Sequence, residues 1–354
     1  MKILVIQQKM IGDVLVSSIL CENLRYAYPD AQIDYLIYDS TKTVVDGAKY
    51  ISNLILFTAK QRESKWELLK FILKIRKEKY DVIIDPYSKL ESWLLVYFSG
   101  AKKTISFEKK GRNFIYTDVV KRRDDYNSNL GTIIEQRLAL LEPLKIDNRK
   151  VTFPTIHVSE EEKQIANTIF EKHAIDVSKK TVMVSIIGSE QSKTYPNQYM
   201  AQLIDCIAET SNVNILFNYI PNQMEQAKAI FNLCKDSTKK AIYFEVIGGS
   251  IREFIAIMNQ CDVIVGNDGG AINMAKALHK PSFVLFSPWI DKKGWALIED
   301  GITHISFHLQ EFKPELFENK TPKEIKGEND FLYEQFVPEL FLDKLKTFLL
   351  THIG

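Results

Sequence analysis

The sequence predicts an α/β protein made of two similar halves, each with a parallel β-sheet covered by helices on both faces. Short, continuously apolar segments alternate with amphipathic stretches, a pattern typical of strands buried on both faces. This alternation occurs twice along the chain, and 354 residues exceed what one hydrophobic core usually organises. We therefore predict domains over 1–155 and 156–330, with a ligand cleft between them. A C-terminal helical segment, 331–354, is expected to pack back on the body.

The first half begins with a buried strand rather than a signal peptide, because its apolar run is short and no cleavage site follows it. Its predicted strands cover 3–7, 33–37, 53–57 and 81–85, and its predicted helices cover 13–28, 41–47, 64–78 and 132–144. In the second half, strands are predicted over 181–187, 213–218, 241–246, 263–267 and 282–286, and helices over 196–210, 223–235 and 270–278.

The run Val263 to Leu278 is the most informative segment, since it predicts a strand, a turn with the pair Gly269-Gly270, and a helix. Free backbone N–H groups at such a helix start, aligned with the positive end of the helix dipole, can bind phosphate. The following segment, Ser282 to Phe286, completes a βαβ unit whose ligand site lies at the carboxyl ends of the strands. A nucleotide is the expected ligand. The alternative is a tight turn that only lets the helix pack on the strand.

Composition excludes several classes of protein. No stretch approaches the roughly 20 apolar residues needed to cross a bilayer, and the four cysteines are scattered without a Cys-x-x-Cys pair. Neither a disulfide framework nor a zinc site is therefore expected, and the cytoplasm is the predicted compartment. None of the six histidines falls on a motif, and no Asp-x-Asp pair occurs, so no metal site is predicted.

The net charge of +1 is unevenly distributed. Residues 1–155 carry 26 Lys and Arg against 19 Asp and Glu, whereas the rest of the chain is acidic. A basic half indicates either a solvated surface or a site for an acidic partner such as anionic lipid, a phosphorylated sugar or nucleic acid. Nucleic acid is the least supported, because no known nucleic-acid-binding motif is present.

Asp13 comes after the first strand and directly after Gly12, so its carboxylate is expected at the carboxyl edge of the first sheet. Such a carboxylate could act as a general base. It could equally be a first-turn residue that stabilises its own helix by about 1 kcal/mol.

Three motifs together resemble glycosyltransferase family 9, the bacterial heptosyltransferases of lipopolysaccharide core assembly. The three motifs are Lys2 to Val14 with its Gly-Asp-Val, Tyr80 to Asp85, and the turn Gly266 to Gly270. Their order and spacing agree with those of the family over roughly residues 1–290. The resemblance implies a GT-B fold, with two Rossmann-like domains whose parallel sheets face each other across a cleft. It also implies inverting, metal-independent transfer of heptose from ADP-heptose, without a cofactor, and it favours Asp13 as the catalytic base.

On the second domain, the resemblance implies a site for the nucleotide-sugar donor. Lys193 matches the family's diphosphate-binding lysine, and Ser189 adds a hydroxyl donor in the same loop. The remaining donor-binding candidates are Asp268, Gly269 and Gly270 around the turn, Glu225 for the ribose hydroxyls, and Ile247, which with Val246 is expected to end a strand and present backbone atoms to the base.

On the first domain, the resemblance implies a site for an anionic, lipid-linked oligosaccharide acceptor, which would bring the protein into peripheral contact with the inner membrane. The acceptor-binding candidates are Gly12, Lys60, Arg62, Lys65 and Arg122, with Arg123 as an alternative to Arg122.

Two positions depart from the family pattern, because Gly269 and Asn273 stand where members often have Thr and His. The donor pocket thereby loses a hydroxyl and an imidazole. Two other functions stay open: transfer from another nucleotide sugar, such as a UDP-sugar, to a surface glycan, and a catalytically silent nucleotide-sugar-binding protein. Trp289 and Trp295 are expected either to line the donor pocket or to pack.

Overall fold

In the computed structural model, which describes residues 1–126 and 128–354, the chain divides into two α/β units, Met1–His157 and Val158–Gly354. Each unit has one sheet in which all paired strands run parallel. The predicted α/β class with two parallel sheets is confirmed.

The first unit has a six-stranded sheet in the order β3-β2-β1-β4-β5-β6. Its strands are β1 (Lys2–Ile6), β2 (Gln32–Tyr38), β3 (Asn53–Phe57), β4 (Val82–Asp85), β5 (Lys103–Phe107) and β6 (Asp118–Val120). Its α-helices are α1 (Ile11–Ala27), α2 (Ala59–Glu63), α3 (Lys65–Glu78), α4 (Leu90–Ser99) and α5 (Thr132–Ala139), with 3-10 helices at Asp39–Val44, Asn113–Ile115 and Glu142–Leu144.

Strand β1 lies at the centre of this sheet, and its apolar side chains are buried because helices cover both faces. Val5 pairs with Tyr35 of β2 on one side and with Ile84 of β4 on the other. The chain order reverses between β1 and β4. In open α/β sheets, ligands bind at the carboxyl ends of the strands at such a reversal.

The second unit has a five-stranded sheet in the order β11-β10-β9-β7-β8. Its strands are β7 (Thr181–Ser185), β8 (Asn214–Phe217), β9 (Val263–Asn267), β10 (Ser282–Leu285) and β11 (His304–Phe307). Its α-helices are α6 (Glu160–Lys172), α7 (Asn197–Thr210), α8 (Met224–Leu233), α9 (Asp236–Lys239), α10 (Ile251–Gln260), α11 (Gly270–Ala277), α12 (Lys292–Trp295), α13 (Pro322–Gly327), α14 (Asn329–Gln335) and α15 (Leu342–Ile353). Short 3-10 helices lie at Gln191–Lys193, Pro221–Gln223, Leu309–Glu311, Pro314–Leu316 and Pro338–Leu340. The order reverses between β7 and β9.

The C-terminal segment packs on the core of the second unit. Leu345, Phe348 and Leu349 of α15 are buried in the same cluster as Phe283 of β10. The buried Tyr195, just before α7, donates its hydroxyl hydrogen bond to the carbonyl of Phe336. This contact ties the C-terminal segment to the loop that follows β7.

Gly266 in β9 is required by the close approach of two strands. Its φ is +126°, and a Cβ atom there would lie 2.4 Å from the carbonyl oxygen of Ser185 in β7. Only glycine avoids that contact. Glycine at this position therefore allows β9 to pair with β7 up to the end of the strand.

The predicted strand over 241–246 is wrong. Ile242 makes a single parallel bridge to Ile215 of β8, and Val246 then donates a backbone hydrogen bond to Tyr243 in a turn. The ring of Phe244 packs against Phe217, Tyr219 and Phe231, so the chain curls over the helix layer instead of extending along the sheet.

Other predicted boundaries shift for local reasons. The predicted helix over 41–47 is the 3-10 helix Asp39–Val44, and the predicted helix over 132–144 stops at Ala139. Strands β5, β6 and β11 were not predicted, because they are short and mix polar with apolar residues. Helices α4, α6 and α10 were also not predicted.

Within the described ranges, no helix combines the length and apolar character needed to span a membrane. The four cysteines are buried and free. In the same ranges, no cluster of three or more His, Cys, Asp or Glu side chains is arranged to hold a metal ion.

Candidate functional site

A cavity of about 490 Å³ lies in the first unit, at the carboxyl ends of β1, β4 and β5. It therefore occupies the reversal point of the sheet, where α/β proteins bind ligands. Its lining residues are Gln7, Lys9, Met10, Asp13, Pro86, Tyr87, Ser88, Lys89, Phe107, Glu108, Lys109, Arg122, Ile133 and Arg137.

Asp13 lies in the first turn of α1, and its carboxylate interacts with Arg137 of α5. Oδ1 of Asp13 is 3.3 Å from Nη2 of Arg137, whose side chain is 5% exposed against 26% for Asp13. The N-cap of α1 is Met10, so Asp13 is not the capping residue. The carboxylate is thus positioned by a buried cation and remains open to the cavity.

Arg137 is itself held by a polar network behind the cavity. Its Nε donates to Ser17 Oγ at 2.7 Å, and Ser17 donates to Gln7 Oε1. Nη1 of Arg137 is buried, and no partner for it is found among the described residues. Burial lowers the pKa of Arg137, and the charge of Asp13 opposes that shift.

The cavity lining carries five cations and two carboxylates. The Arg122 guanidinium stacks on Phe107, 4.0 Å from the ring centroid, and donates to Gln136 at 3.1 Å. Desolvation and the charges of Lys89, Arg112 and Arg122 lower the pKa of Lys109. Cations that disfavour one another's charge attract an anion into the space between them.

Asp85, at the end of β4, fixes the loop that lines one wall of the cavity. Its buried carboxylate accepts hydrogen bonds from the Ser88 backbone N–H at 2.9 Å and from the Tyr116 hydroxyl at 2.7 Å. Ser88 in turn accepts a hydrogen bond from Trp93 Nε1. Burial raises the pKa of Asp85 to about 6, and the bonds from Ser88 and Tyr116 oppose the rise.

We expect Asp85→Asn to weaken the pH dependence of stability. The pKa of Asp85 in the folded protein, about 6, exceeds its ordinary value of 3.8, so the folded state binds the proton more tightly and stability falls as pH rises between these values. The wild type should lose about 1 kcal/mol more unfolding free energy than the variant from about pH 5 to about pH 7. Urea unfolding at both pH values measures this; equal losses would contradict it.

The structure does not bring all of the predicted acceptor residues to the cavity. Arg122 lines the cavity, whereas Gly12 lies in the first turn of α1 beside Asp13. Lys60, Arg62 and Lys65 are exposed on α2 and α3, after β3, and are not among the residues that line the cavity. The guanidinium of Arg62 stacks on Tyr38, 4.6 Å from the ring centroid.

In the second unit, the Gly269-Gly270 turn leaves open space at the start of α11. A Cβ atom on either glycine would meet nothing within 4 Å. Gly269 is extended, with φ 168°, and no side chain caps the helix. The first backbone N–H groups of α11 therefore have room for a ligand, as an anion site at a helix start requires.

The Lys193 loop is fixed next to this turn. The backbone N–H of Tyr195 donates to Asn267 Oδ1 at 2.8 Å, at the end of β9. The Ser192 carbonyl accepts from Ser287 Oγ at 2.7 Å, from Asn329 Nδ2 at 3.0 Å and from Trp289 Nε1 at 3.1 Å. Lys193 Nζ lies 5.4 Å from the Trp289 ring centroid. Trp289 therefore packs against the Lys193 loop, and its ring also lies 4.1 Å from Lys326 Nζ.

The charges of two lysines affect the pKa of Asp268 at this edge of the second sheet. Burial raises the pKa of Asp268 to about 6, and the charges of Lys193 and Lys276 oppose the rise. Burial lowers the pKa of Lys276 to about 8, and its Nζ donates to the Leu297 carbonyl at 2.5 Å. Lys276 is thus buried and bonded inside the unit, which leaves Lys193 as the cation of this pair that could meet a ligand.

The other predicted donor residues lie around the same edge. Ser189 is exposed in the loop after β7, and Glu225 is exposed in the first turn of α8, after β8. Ile247 is half-buried against the core and, contrary to the prediction, does not end a strand. Its local geometry is a turn.

Several site residues escaped the sequence analysis: Lys9, Lys89, Lys109, Arg137 and Lys276. The first three follow the ends of β1, β4 and β5 within four residues. That spacing would have identified Lys109 if β5 had been predicted. Arg137 carries no such signal, because its partner Asp13 is 124 residues away.

Comparison with known proteins gives consistent matches over most of the chain. The family model described as glycosyltransferase family 9 (heptosyltransferase) matches residues 68–324. Lipopolysaccharide heptosyltransferase 1 of Campylobacter coli is 23% identical over 294 residues, which cover 81% of this chain and 84% of that protein.

Solved structures share the fold. A glycosyltransferase family 9 protein from Veillonella parvula superposes with a TM-score of 0.76 and 17% identity, covering 99% of this chain and 97% of that one. The Escherichia coli ADP-heptose lipopolysaccharide heptosyltransferase II superposes with a TM-score of 0.69 and 17% identity, covering 95% of this chain and 99% of that one.

Proposed function

Since the chain belongs to glycosyltransferase family 9, we propose that it transfers a heptose from ADP-heptose to an inner-core acceptor of lipopolysaccharide. The enzyme class, a glycosyltransferase, follows from the family. The names of the similar proteins print ADP-heptose and lipopolysaccharide, and the inner core as the acceptor is part of the proposal. The observation that carries the proposal is the Asp13 carboxylate, held by Arg137 on the wall of a cationic cavity at the reversal point of the first sheet.

The acceptor proposed for this cavity is an anionic sugar. The lining cations Lys9, Lys89, Lys109 and Arg122 would bind its phosphate or carboxylate groups. Lys60, Arg62 and Lys65 stay proposed contacts for a longer acceptor, since they lie at the same carboxyl edge of the sheet.

In the proposed reaction, Asp13 takes the proton of the acceptor hydroxyl as that oxygen attacks the anomeric carbon. The bond from this carbon to the diphosphate oxygen breaks in the same displacement, which inverts the anomeric configuration. General-base assistance of this kind contributes about a hundredfold to ten-thousandfold.

The leaving diphosphate carries negative charge. In this proposal, groups of the donor site stabilise that charge without a metal. Lys193 and the backbone N–H groups of Gly269, Gly270 and the following residues would do so. Ser189 would add a hydroxyl donor, Asp268 would orient Lys193, and Glu225 would accept from the ribose hydroxyls. Ile247 would contact the base.

Under this proposal, the protein works in the cytoplasm at the inner face of the membrane, because the acceptor is linked to lipid. Nucleic acid has no role in it, and no cofactor is needed.

A nucleotide panel tests the donor. We expect calorimetry to show tighter binding of ADP than of UDP or GDP, and ADP-heptose to be consumed when a heptose-deficient core acceptor is added. Preference for UDP would indicate a UDP-sugar transferase for a surface glycan. Tight nucleotide binding without transfer or donor hydrolysis would indicate a silent binding protein, to which the replacements at Gly269 and Asn273 point.

A further inference from the structure

Beside the acceptor cavity, the first unit exposes an apolar surface that the proposed reaction does not use. A groove of about 360 Å³ runs between α4 and the segment 111–115. We call its apolar side chains the α4 face: Leu90, Trp93, Leu94, Tyr97, Phe98, Phe114 and Ile115.

The most exposed members of the α4 face are large. Phe114 is 76% exposed, Leu90 and Tyr97 are each 60% exposed, and Phe98 is 45% exposed. The rings of Tyr97 and Phe98 meet edge to face, with centroids 5.1 Å apart. Clustered aromatic and aliphatic side chains in water are costly, so a patch of this kind usually marks a contact with a partner.

The border of the α4 face is cationic. Arg112 lines the groove, and Lys89, Lys109 and Lys110 lie next to its lining segments in the sequence, together with the acidic residues Glu91 and Glu108. The Arg112 guanidinium lies 3.5 Å from the Trp93 ring centroid, and Lys109 Nζ lies 4.9 Å from the same centroid. Aromatic side chains bordered by Lys and Arg suit the interface of an anionic bilayer, where rings enter the headgroup region and cations meet phosphates.

The α4 face is continuous with the acceptor cavity. Trp93 lies in the groove and donates its Nε1 hydrogen bond at 3.1 Å to Ser88, which lines the cavity. Lys109 lines the cavity while its ammonium contacts the Trp93 ring. A molecule anchored in a membrane that touches the α4 face would therefore reach the cavity with its headgroup.

We propose that the α4 face docks the protein on an anionic phospholipid membrane and presents the acceptor cavity to lipid-linked sugars. Charge complementarity and continuity with the cavity select this occupant over a second copy of the chain. The proposal extends the proposed function, which requires a lipid-linked acceptor, and names the surface that meets the lipid.

Flotation with vesicles tests it. The wild type should bind mixed vesicles that contain equal amounts of phosphatidylcholine and phosphatidylglycerol. It should bind far less to vesicles of phosphatidylcholine alone. The double variant Leu90→Ser/Phe114→Ser should bind the mixed vesicles at least about tenfold less, since both side chains leave water on docking. Lys110→Glu should weaken that binding about fivefold or more and make it less sensitive to salt.

The matched control is Val177→Ser/Ile302→Ser, whose residues are 80% and 64% exposed in the second unit. It should bind mixed vesicles like the wild type. Circular dichroism and ADP calorimetry on the Leu90/Phe114 variant should match the wild type, which separates failure of docking from failure of the donor site.

Three results would overturn the docking surface: no binding of the wild type to the mixed vesicles, equal binding of the Leu90/Phe114 variant, or equal loss in the control. A concentration-dependent dimer in analytical ultracentrifugation that this variant abolishes, without vesicle binding, would assign the face to a second copy instead.

Discussion

Asp13→Asn should reduce the rate of heptosyl transfer about a hundredfold to ten-thousandfold while leaving ADP affinity near that of the wild type. The amide is nearly the same size as the carboxylate and can still accept the hydrogen bond from Arg137 Nη2, so the cavity should keep its shape. It cannot take a proton from the acceptor hydroxyl. Steady-state kinetics with the donor and a core acceptor, together with calorimetry for ADP, measure both quantities.

The loss should appear in kcat rather than in KM for the donor, because Asp13 belongs to the first unit and the donor site to the second. The control is Asp30→Asn, an exposed aspartate after α1, which should keep full turnover. Wild-type turnover by Asp13→Asn would remove Asp13 as the base and leave it a structural partner of Arg137.

Lys193→Glu should weaken ADP binding about a hundredfold or more. Loss of one charge-assisted hydrogen bond costs about 1.5–3 kcal/mol, and the new carboxylate adds repulsion toward the diphosphate. Asp268, whose pKa the Lys193 charge helps to lower, would face a second acid and become harder to ionise. Calorimetry with ADP gives the dissociation constant directly.

Lys344→Glu makes the same charge change on the exposed side of α15 and should leave ADP binding unaltered. Adenosine, which lacks phosphates, should bind Lys193→Glu and the wild type alike. An ADP dissociation constant that Lys193→Glu does not change would show that the lysine is a solvated loop residue.

Strands and helices whose residues follow a clear local pattern could be predicted from the sequence. Apolar runs bounded by turns located β1, β3 and β4, and a glycine pair after an apolar strand located the start of α11. From the residues alone, Asp13 and Lys193 could be placed after β1 and β7, at the edge where parallel sheets collect ligand-binding side chains, whereas the roles expected of them came from the family resemblance.

The rest depends on contacts between distant segments. Arg137 meets Asp13 only after α5 packs beside α1, and no periodicity in the sequence reports that. Residues 241–246 are apolar enough for a strand, yet the packing of Phe244 on three aromatic rings decides otherwise. Tertiary packing overrides local preference in such short segments.

The hydrogen bonds from Asn329 to Ser192 and from Tyr195 to Phe336 make the segment after α13 a brace for the loop that carries Lys193. If the protein has the proposed function, removing the residues after α13 would thus impair nucleotide binding before it disturbed the cavity at Asp13, although the removed residues touch neither ligand in the proposed reaction.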